Sequence, residues 1–368
     1  MQVPYDYSSD FLEAFARTQR KVAEILKTSA DVVLMQGEAM LAIEAATRSL
    51  VAPGDRCLNL VSGAYGQGYG DLLRRLGAEV VDVQAPFDST VEPEQVAAAL
   101  EANPLASIVS MVHCETPTGT LTPVGEIAPI AKRHGAITVV DAASSAGGAP
   151  LAVDDWGIDV CVTAPQKCLG SVPGLAIVSV SDVAWERMAN NPGAPRGSYL
   201  SLLDWKELWE DRGVFPHTPS VTDVMALDAA CTELLAEGLD TSLAIHARAG
   251  RACRAGVRAA GLEIWPSSDE VASPTVTAVR LPDGVSERDL RAVMLEHLNV
   301  NLPIASGGFA DRIMRIGHMG ITARAPYPLV GVATLVQGLA LLGEAVDIGA
   351  AAEASLAELV RPLDVTAG

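Results

Sequence analysis

Basic charge is scarce in this chain. Twenty-six Lys and Arg stand against 45 Asp and Glu, a net charge of −19. Nucleic acid and anionic membrane surfaces are held through basic patches, so this balance argues against both as partners. Long apolar runs are also missing, although 49% of the residues are hydrophobic. A membrane-spanning helix needs about 20 consecutive apolar residues. The stretch 329–342 is too short and too interrupted for that and reads as a core helix. No charged-then-apolar leader opens the chain, so no signal peptide is expected. The six cysteines (Cys57, Cys114, Cys161, Cys168, Cys231 and Cys253) form no CxxC and no zinc spacing. They read as reduced, mostly buried thiols of a cytoplasmic protein that holds no metal. Internal repeats and low-complexity linkers are absent from the sequence.

What is present is a regular alternation of short apolar β-branched runs with helical spacing. Strands are expected near residues 31–35, 57–61, 79–83, 107–112, 137–140, 160–163 and 175–180. Helical patterns fall between them and at 11–27, 223–237 and 240–260. That order predicts an α/β protein with a mainly parallel sheet between helices. At 368 residues the chain is long enough for a large domain over 1–245 and a small α/β domain over 246–368. The small domain is expected to run 273–281, 287–297, 300–302, 314–317 and a last helix from Tyr327. The segment 199–210, with Trp205 and Trp209, is expected to pack against another subunit.

The chemistry concentrates in residues 137–175. An apolar run ends in Asp141, followed by the small residues Ala142 to Gly148. A second run, 160–163, ends in Ala164-Pro165-Gln166-Lys167, with glycines and a proline beyond. Alone, an aspartate after a strand is as often a helix cap, and a lysine in a small-residue loop is usually just solvated. Together, each at the C-terminal end of its own expected parallel strand, they lie where open α/β sheets bind ligands. Lysine can form a Schiff base with an aldehyde, and a carboxylate can keep a pyridine nitrogen protonated so that the ring acts as an electron sink.

These stretches, DAASSAGG and APQKCLGSVPGL, together with RIGHMG at residues 315–320, resemble the signatures of class V, fold-type I pyridoxal-phosphate-dependent aminotransferases. The likeness covers nearly the whole chain. Within the family it is most similar to the pyridoxamine–pyruvate branch, then to the alanine–glyoxylate branch. The resemblance implies Lys167 and Asp141 as catalytic residues. It implies Tyr65 stacked on the ring, Thr116 beside it and Arg315 clamping a substrate carboxylate. Gln166 and Thr218 match positions that help hold phosphate, Thr218 reaching into the neighbouring subunit's site. A homodimer or homotetramer follows. Relatives begin with a short proline–glycine segment near the substrate, for which this sequence shows no match. His113 and Glu115 have no metal-site spacing and read as loop-shaping residues.

Where the family's helix-start turn cradles phosphate, this sequence has Glu38, Ala39 and Met40. A first-turn glutamate is ordinary, favoured by the helix dipole by up to ~1 kcal/mol. It can also repel phosphate: unit charges ~4 Å apart near a protein surface interact by about 4 kcal/mol. The same carboxylate can accept a hydrogen bond from a free 5′-hydroxyl. Read that way, pyridoxal and pyridoxamine are bound through Lys167 as substrates. The reaction then moves an amino group from pyridoxamine to a 2-oxo acid, pyruvate, giving pyridoxal and L-alanine.

The alternative is a conventional enzyme of the alanine–glyoxylate type, with pyridoxal 5′-phosphate as cofactor. A cysteine desulfurase would want a mobile cysteine in the small domain, and none follows Cys253. A vitamin B6 carrier would leave Arg315 without a purpose. The second arginine expected of the pyridoxamine–pyruvate branch is missing from Ser306-Gly307-Gly308-Phe309, and Arg312, three residues along the strand from Arg315, would face the other way.

Overall fold

The computed structural model describes residues 5–303, 307–309 and 311–365. Along the chain the elements are α1 Ser9–Leu26, β1 Asp31–Gly37, α2 Ala39–Leu50, β2 Arg56–Val61, α3 Ala64–Arg75, β3 Glu79–Gln84 and α4 Pro93–Ala102. Next come β4 Ala106–Val112, the short pair β5 Cys114–Glu115 and β6 Thr120–Leu121, α5 Val124–His134, β7 Ile137–Asp141, α6 Val153–Trp156, β8 Val160–Thr163 and β9 Gly174–Val180. After these lie α7 Asp182–Ala189, α8 Leu202–Asp204, α9 Val221–Glu237, α10 Leu239–Ala259, β10 Val276–Arg280, α11 Glu287–Leu298, β11 Ile313–Gly317, α12 Tyr327–Leu341 and α13 Ile348–Leu359.

The main sheet has seven strands in the order β1-β9-β8-β7-β4-β2-β3. Its strands pair in parallel from β8 to β3, while β9 runs antiparallel between β8 and β1. Helices cover both faces, so the central strands are buried on both; β7 and β8 show no alternation of buried and exposed positions. Register aligns Asp141 with Val112 of β4 and Val162 of β8. The loops after β1, β2, β4, β7 and β8 therefore leave the same edge of the sheet.

One hydrophobic core gathers residues between Phe11 and Leu234 around this sheet. A second gathers residues between Cys253 and Ala351 around the antiparallel pair β10–β11. Helix α10 serves both regions: Ser242 donates to the Gly147 carbonyl at 2.7 Å, and Cys253 and Val257 lie in the second core. Helix α1 begins with Ser8 accepting from the Phe11 amide. It is held to α9 by Arg17 and Lys21, at 2.8 and 2.7 Å from the Asp228 carboxylate. All six cysteines are buried and free.

Several expected elements differ. Trp205 and Trp209 are buried within their own chain, where Phe15 stacks on Trp205 and Phe215 on Trp209. Their indole surfaces are already used by the apolar side of α1. Residues 300–302 form no strand, because β10 pairs with β11 directly. The helix from Tyr327 ends at Leu341 and is followed by α13, since Gly343 takes a left-handed φ of 94°. Among the described residues, no helix is long and apolar enough to cross a membrane.

Candidate active site

The loops from the C-terminal sheet edge enclose a cavity of about 90 Å³. Surface grooves elsewhere are larger, one of them 680 Å³, but this cavity is the one among the described residues that brings together most of the groups singled out in the sequence. It is lined by Glu38, Ala39 and Met40 after β1, Tyr65 after β2, Asp141 at the end of β7, and Gln166 and Lys167 after β8.

Asp141 accepts the Ala143 amide at 2.9 Å. Burial is the largest influence on its carboxyl and pushes it up to about 6; Ala143 and Lys167 pull it down, and Glu38 adds to the rise. In the absence of a cationic partner, this aspartate is costly to ionise. A folded carboxyl at about 6 keeps a proton that the unfolded chain loses near ~4, so the aspartate's contribution to stability falls as pH rises between those values and stays low above them. Discounting for water in the cavity, we expect Asp141→Asn to stabilise the ring-free protein by up to about 2 kcal/mol above pH ~6.5. It should do nothing at pH ~4. Denaturant midpoints at both pH values check this; an equal shift at both would remove the titration as its cause.

Glu38 is the N-cap of α2, yet its side chain makes no capping hydrogen bond. Its residue is exposed at the cavity wall. A capping residue normally turns its side-chain acceptor onto the first-turn amides. Here that acceptor is left for whatever enters the cavity. The Gln166 Oε1 atom is also buried without a hydrogen-bond partner. Both residues line the cavity, so each offers it an acceptor.

Arg315 comes from β11, in the second core's sheet. Its Nη1 donates to the Thr116 hydroxyl at 3.3 Å, and it hydrogen-bonds the Tyr65 side chain. Thr116 itself is buried. The guanidinium expected to hold a carboxylate thus comes from a distant part of the chain to sit against Tyr65, which lines the cavity, although neither Arg315 nor Thr116 lines the cavity itself. Arg312 points elsewhere and lies over the Trp265 ring at 4.9 Å. Of the Ser306-Gly307-Gly308-Phe309 neighbourhood, Ser306 lies outside the described residues.

Thr218 is not brought to the cavity of its own chain. It is exposed and borders a separate hollow with Tyr199, Trp205 and His217.

The loop bearing Lys167 is braced from behind. Gly320 adopts φ +56°, and a Cβ there would lie 3.1 Å from the Lys167 carbonyl oxygen and from Gly170 Cα. The Gly320 amide donates to His246 Nε2 at 3.0 Å. His246 Nδ1 must then carry the proton that it gives to the Ser242 carbonyl at 2.8 Å. Burial holds this imidazole below its usual value, which keeps Nε2 an acceptor.

Two contributions were not singled out from sequence. Cys114 lines the cavity, with its sulfur 3.1 Å from the Ser273 hydroxyl. It lies in the two-residue strand β5, and Thr116 opens the turn that follows. Glu115, between them, is buried and accepts the Tyr65 and Gly66 amides. Burial pushes its carboxyl up to about 7 against the pull of those two donors.

The class V aminotransferase model matches residues 3–308. The chain belongs to the class V aminotransferases. It is 40% identical to pyridoxamine–pyruvate transaminase of Mesorhizobium japonicum, over 96% of this chain and 90% of that protein. A crystal structure of pyridoxamine–pyruvate aminotransferase from Mesorhizobium loti superposes with a TM-score of 0.94 over 97% of this chain and 91% of that one, at 40% identity. L-aspartate–glyoxylate aminotransferase of Paracoccus denitrificans is 32% identical over 91% of this chain and 85% of that protein. The sheet and its covering helices are those of fold-type I aminotransferases, and the chain is a transaminase working with vitamin B6 chemistry.

Proposed function

We propose that this transaminase moves the amino group of pyridoxamine to a 2-oxo acid, pyruvate, releasing pyridoxal and L-alanine. The observation that carries this reading is Glu38: an N-cap carboxylate with no capping bond, at the wall of the Lys167 cavity. A helix N-terminus would otherwise welcome a phosphate. With a carboxylate already there, a neutral 5′-hydroxyl that donates to Glu38 is favoured over a dianionic ester.

The other groups fit such a ring. Asp141, close enough to Lys167 and Glu38 to feel both charges, would hold the proton on the pyridine nitrogen. When bound, the protonated ring supplies the electron sink of the reaction. Tyr65 would lie over the ring face and Thr116 beside it. Lys167 would offer its amine to the ring aldehyde, and when free would move a proton between ring C4′ and the substrate α-carbon. Arg315 would bind the oxo-acid carboxylate, exchanging its contacts with Thr116 and Tyr65 for two parallel charge-assisted bonds.

Gln166 favours a second reading, with pyridoxal 5′-phosphate as cofactor and glyoxylate or pyruvate as acceptor, because this phosphate-contact position of the family still lines the cavity. The position of Thr218 away from its own chain's cavity supports a homodimer or homotetramer in which it completes the neighbouring site. Six free, buried thiols support a reducing, cytoplasmic setting. The division at 245/246 is supported by α10, whose two ends serve different cores.

The test is product formation: purified protein with pyridoxamine and pyruvate, pyridoxal read by its absorbance and alanine by chromatography. Pyridoxal without added phosphate ester supports the reading; turnover only after pyridoxal phosphate is supplied rejects it. Arg315→Lys should raise KM for the oxo acid about 10–100-fold, because a point-charge ammonium replaces the bidentate fork. KM for pyridoxamine should hardly change. Equal increases in both would place Arg315 outside the carboxylate site.

A further inference from the structure

Helix α3 carries Tyr65 on its first turn, and its N-cap, Gly63, has no side chain to cap it. The missing cap comes from a different loop. Glu115, 1% exposed, accepts the Gly66 amide on Oε1 at 2.6 Å and the Tyr65 amide on Oε2 at 3.1 Å. These are the second and third helical amides, the donors that an N-cap serine or aspartate would normally take. Space for the carboxylate exists only because residue 63 is glycine: a Cβ there would stand 2.6 Å from the Glu115 carboxyl.

This arrangement matters because Tyr65 is 43% exposed. Its ring is not clamped by surrounding core; beside the hydrogen bond from Arg315 to its side chain, its direction depends on where the backbone of residues 64–66 is pinned. The residue that pins it lies between Cys114, which lines the cavity, and Thr116, which accepts from Arg315. We propose that Glu115 is the positioning residue of the ring site, fixing Tyr65 relative to the Thr116–Arg315 pair through the amides of Tyr65 and Gly66. The inference rests on the reading that Tyr65 covers the ring. Glu115 itself touches neither ring nor oxo acid.

The experiment is a double-mutant cycle on the full chain. Affinity for pyridoxal, and separately for pyridoxal phosphate, is read from the absorbance and visible circular dichroism of the lysine-bound ring. The proteins are wild type, Glu115→Gln, Tyr65→Ala and the double variant, each with its Tm. A glutamine keeps the shape but presents an amide donor to one of the two N–H groups. We expect about tenfold weaker ring binding and a reduced dichroic signal in Glu115→Gln. In the Tyr65→Ala background the same change should cost less than about twofold, because the effect passes through Tyr65. Equal losses in both backgrounds, or no loss in either, overturn the proposal. Gly63→Ala displaces the carboxylate from the other side and should reproduce the loss without adding to that of Glu115→Gln; it runs the cycle if Glu115→Gln does not fold. A wild type that prefers the phosphate ester would reject the pyridoxamine reading alone, since the coupling is read with either ring.

Discussion

Lys167→Ala is expected to lower transamination at least about a thousandfold, the scale on which a positioned acid–base group contributes. The variant should fold as the wild type does, because the loop is braced through backbone and neighbours: Gly320 against the Lys167 carbonyl, and His246 on the Gly320 amide. The amine therefore goes while the cavity around it stays. Ring binding should survive in weakened, non-covalent form, and the absorption band of the lysine-bound ring should vanish. Single-turnover kinetics with pyridoxamine and pyruvate would measure the residual rate. A variant keeping more than about a tenth of wild-type activity would remove Lys167 from proton transfer.

Glu38→Ser is expected to shift the preference between pyridoxal and pyridoxal phosphate by at least about tenfold toward the phosphate. A third of the ~4 kcal/mol repulsion between unit charges at close range is enough for that factor. The substitution separates binding from stability unusually well. Glu38 already makes no capping bond, whereas serine is a favoured N-cap whose hydroxyl would reach a first-turn amide. Thermal stability should thus stay level or rise while the free vitamer loses a hydrogen-bond acceptor. Competition titrations of the two rings provide the ratio. If serine leaves the ratio unchanged, Glu38 is only a helix-start residue, and the phosphate-dependent reading gains.

The sheet and its active edge were legible because both rest on local signals. Apolar runs mark β2, β4, β7 and β8, and the polar or small residues just past them mark the ligand side. Asp141 and Lys167 stand out by interrupting that pattern. Glu38 stood out as a charge at a helix start, but its unused capping capacity is a matter of side-chain geometry that no spacing encodes. Glu115 was legible only as a loop residue. Its partners are backbone amides of residues 65 and 66, and backbone amides leave no trace in a sequence. The tryptophans of 205–209 misled for a related reason. Indoles on a short helical turn are equally suited to a subunit interface and to an internal aromatic cluster, and Phe15, from the far end of the chain, decides between them. The break between α12 and α13 was marked by Gly343, though a single glycine in an apolar helical pattern is often tolerated.

The placement of β9 has a consequence for how the molecule is made. Residues 31–37 pair with residues 174–180, in an order that puts β9 between β1 and the parallel strands. During synthesis, β2, β3 and β4 can assemble with their helices as they emerge, while β1 has no neighbour to zip onto until β9 has left the ribosome. Contacts so distant in sequence form late, because loop closure must be met before pairing rewards it. Among the walls built by the main sheet, the one bearing Glu38 is therefore the last to close. A nascent chain stopped before residue 174 would display the Asp141 end of the site but no selector between the two forms of the vitamin.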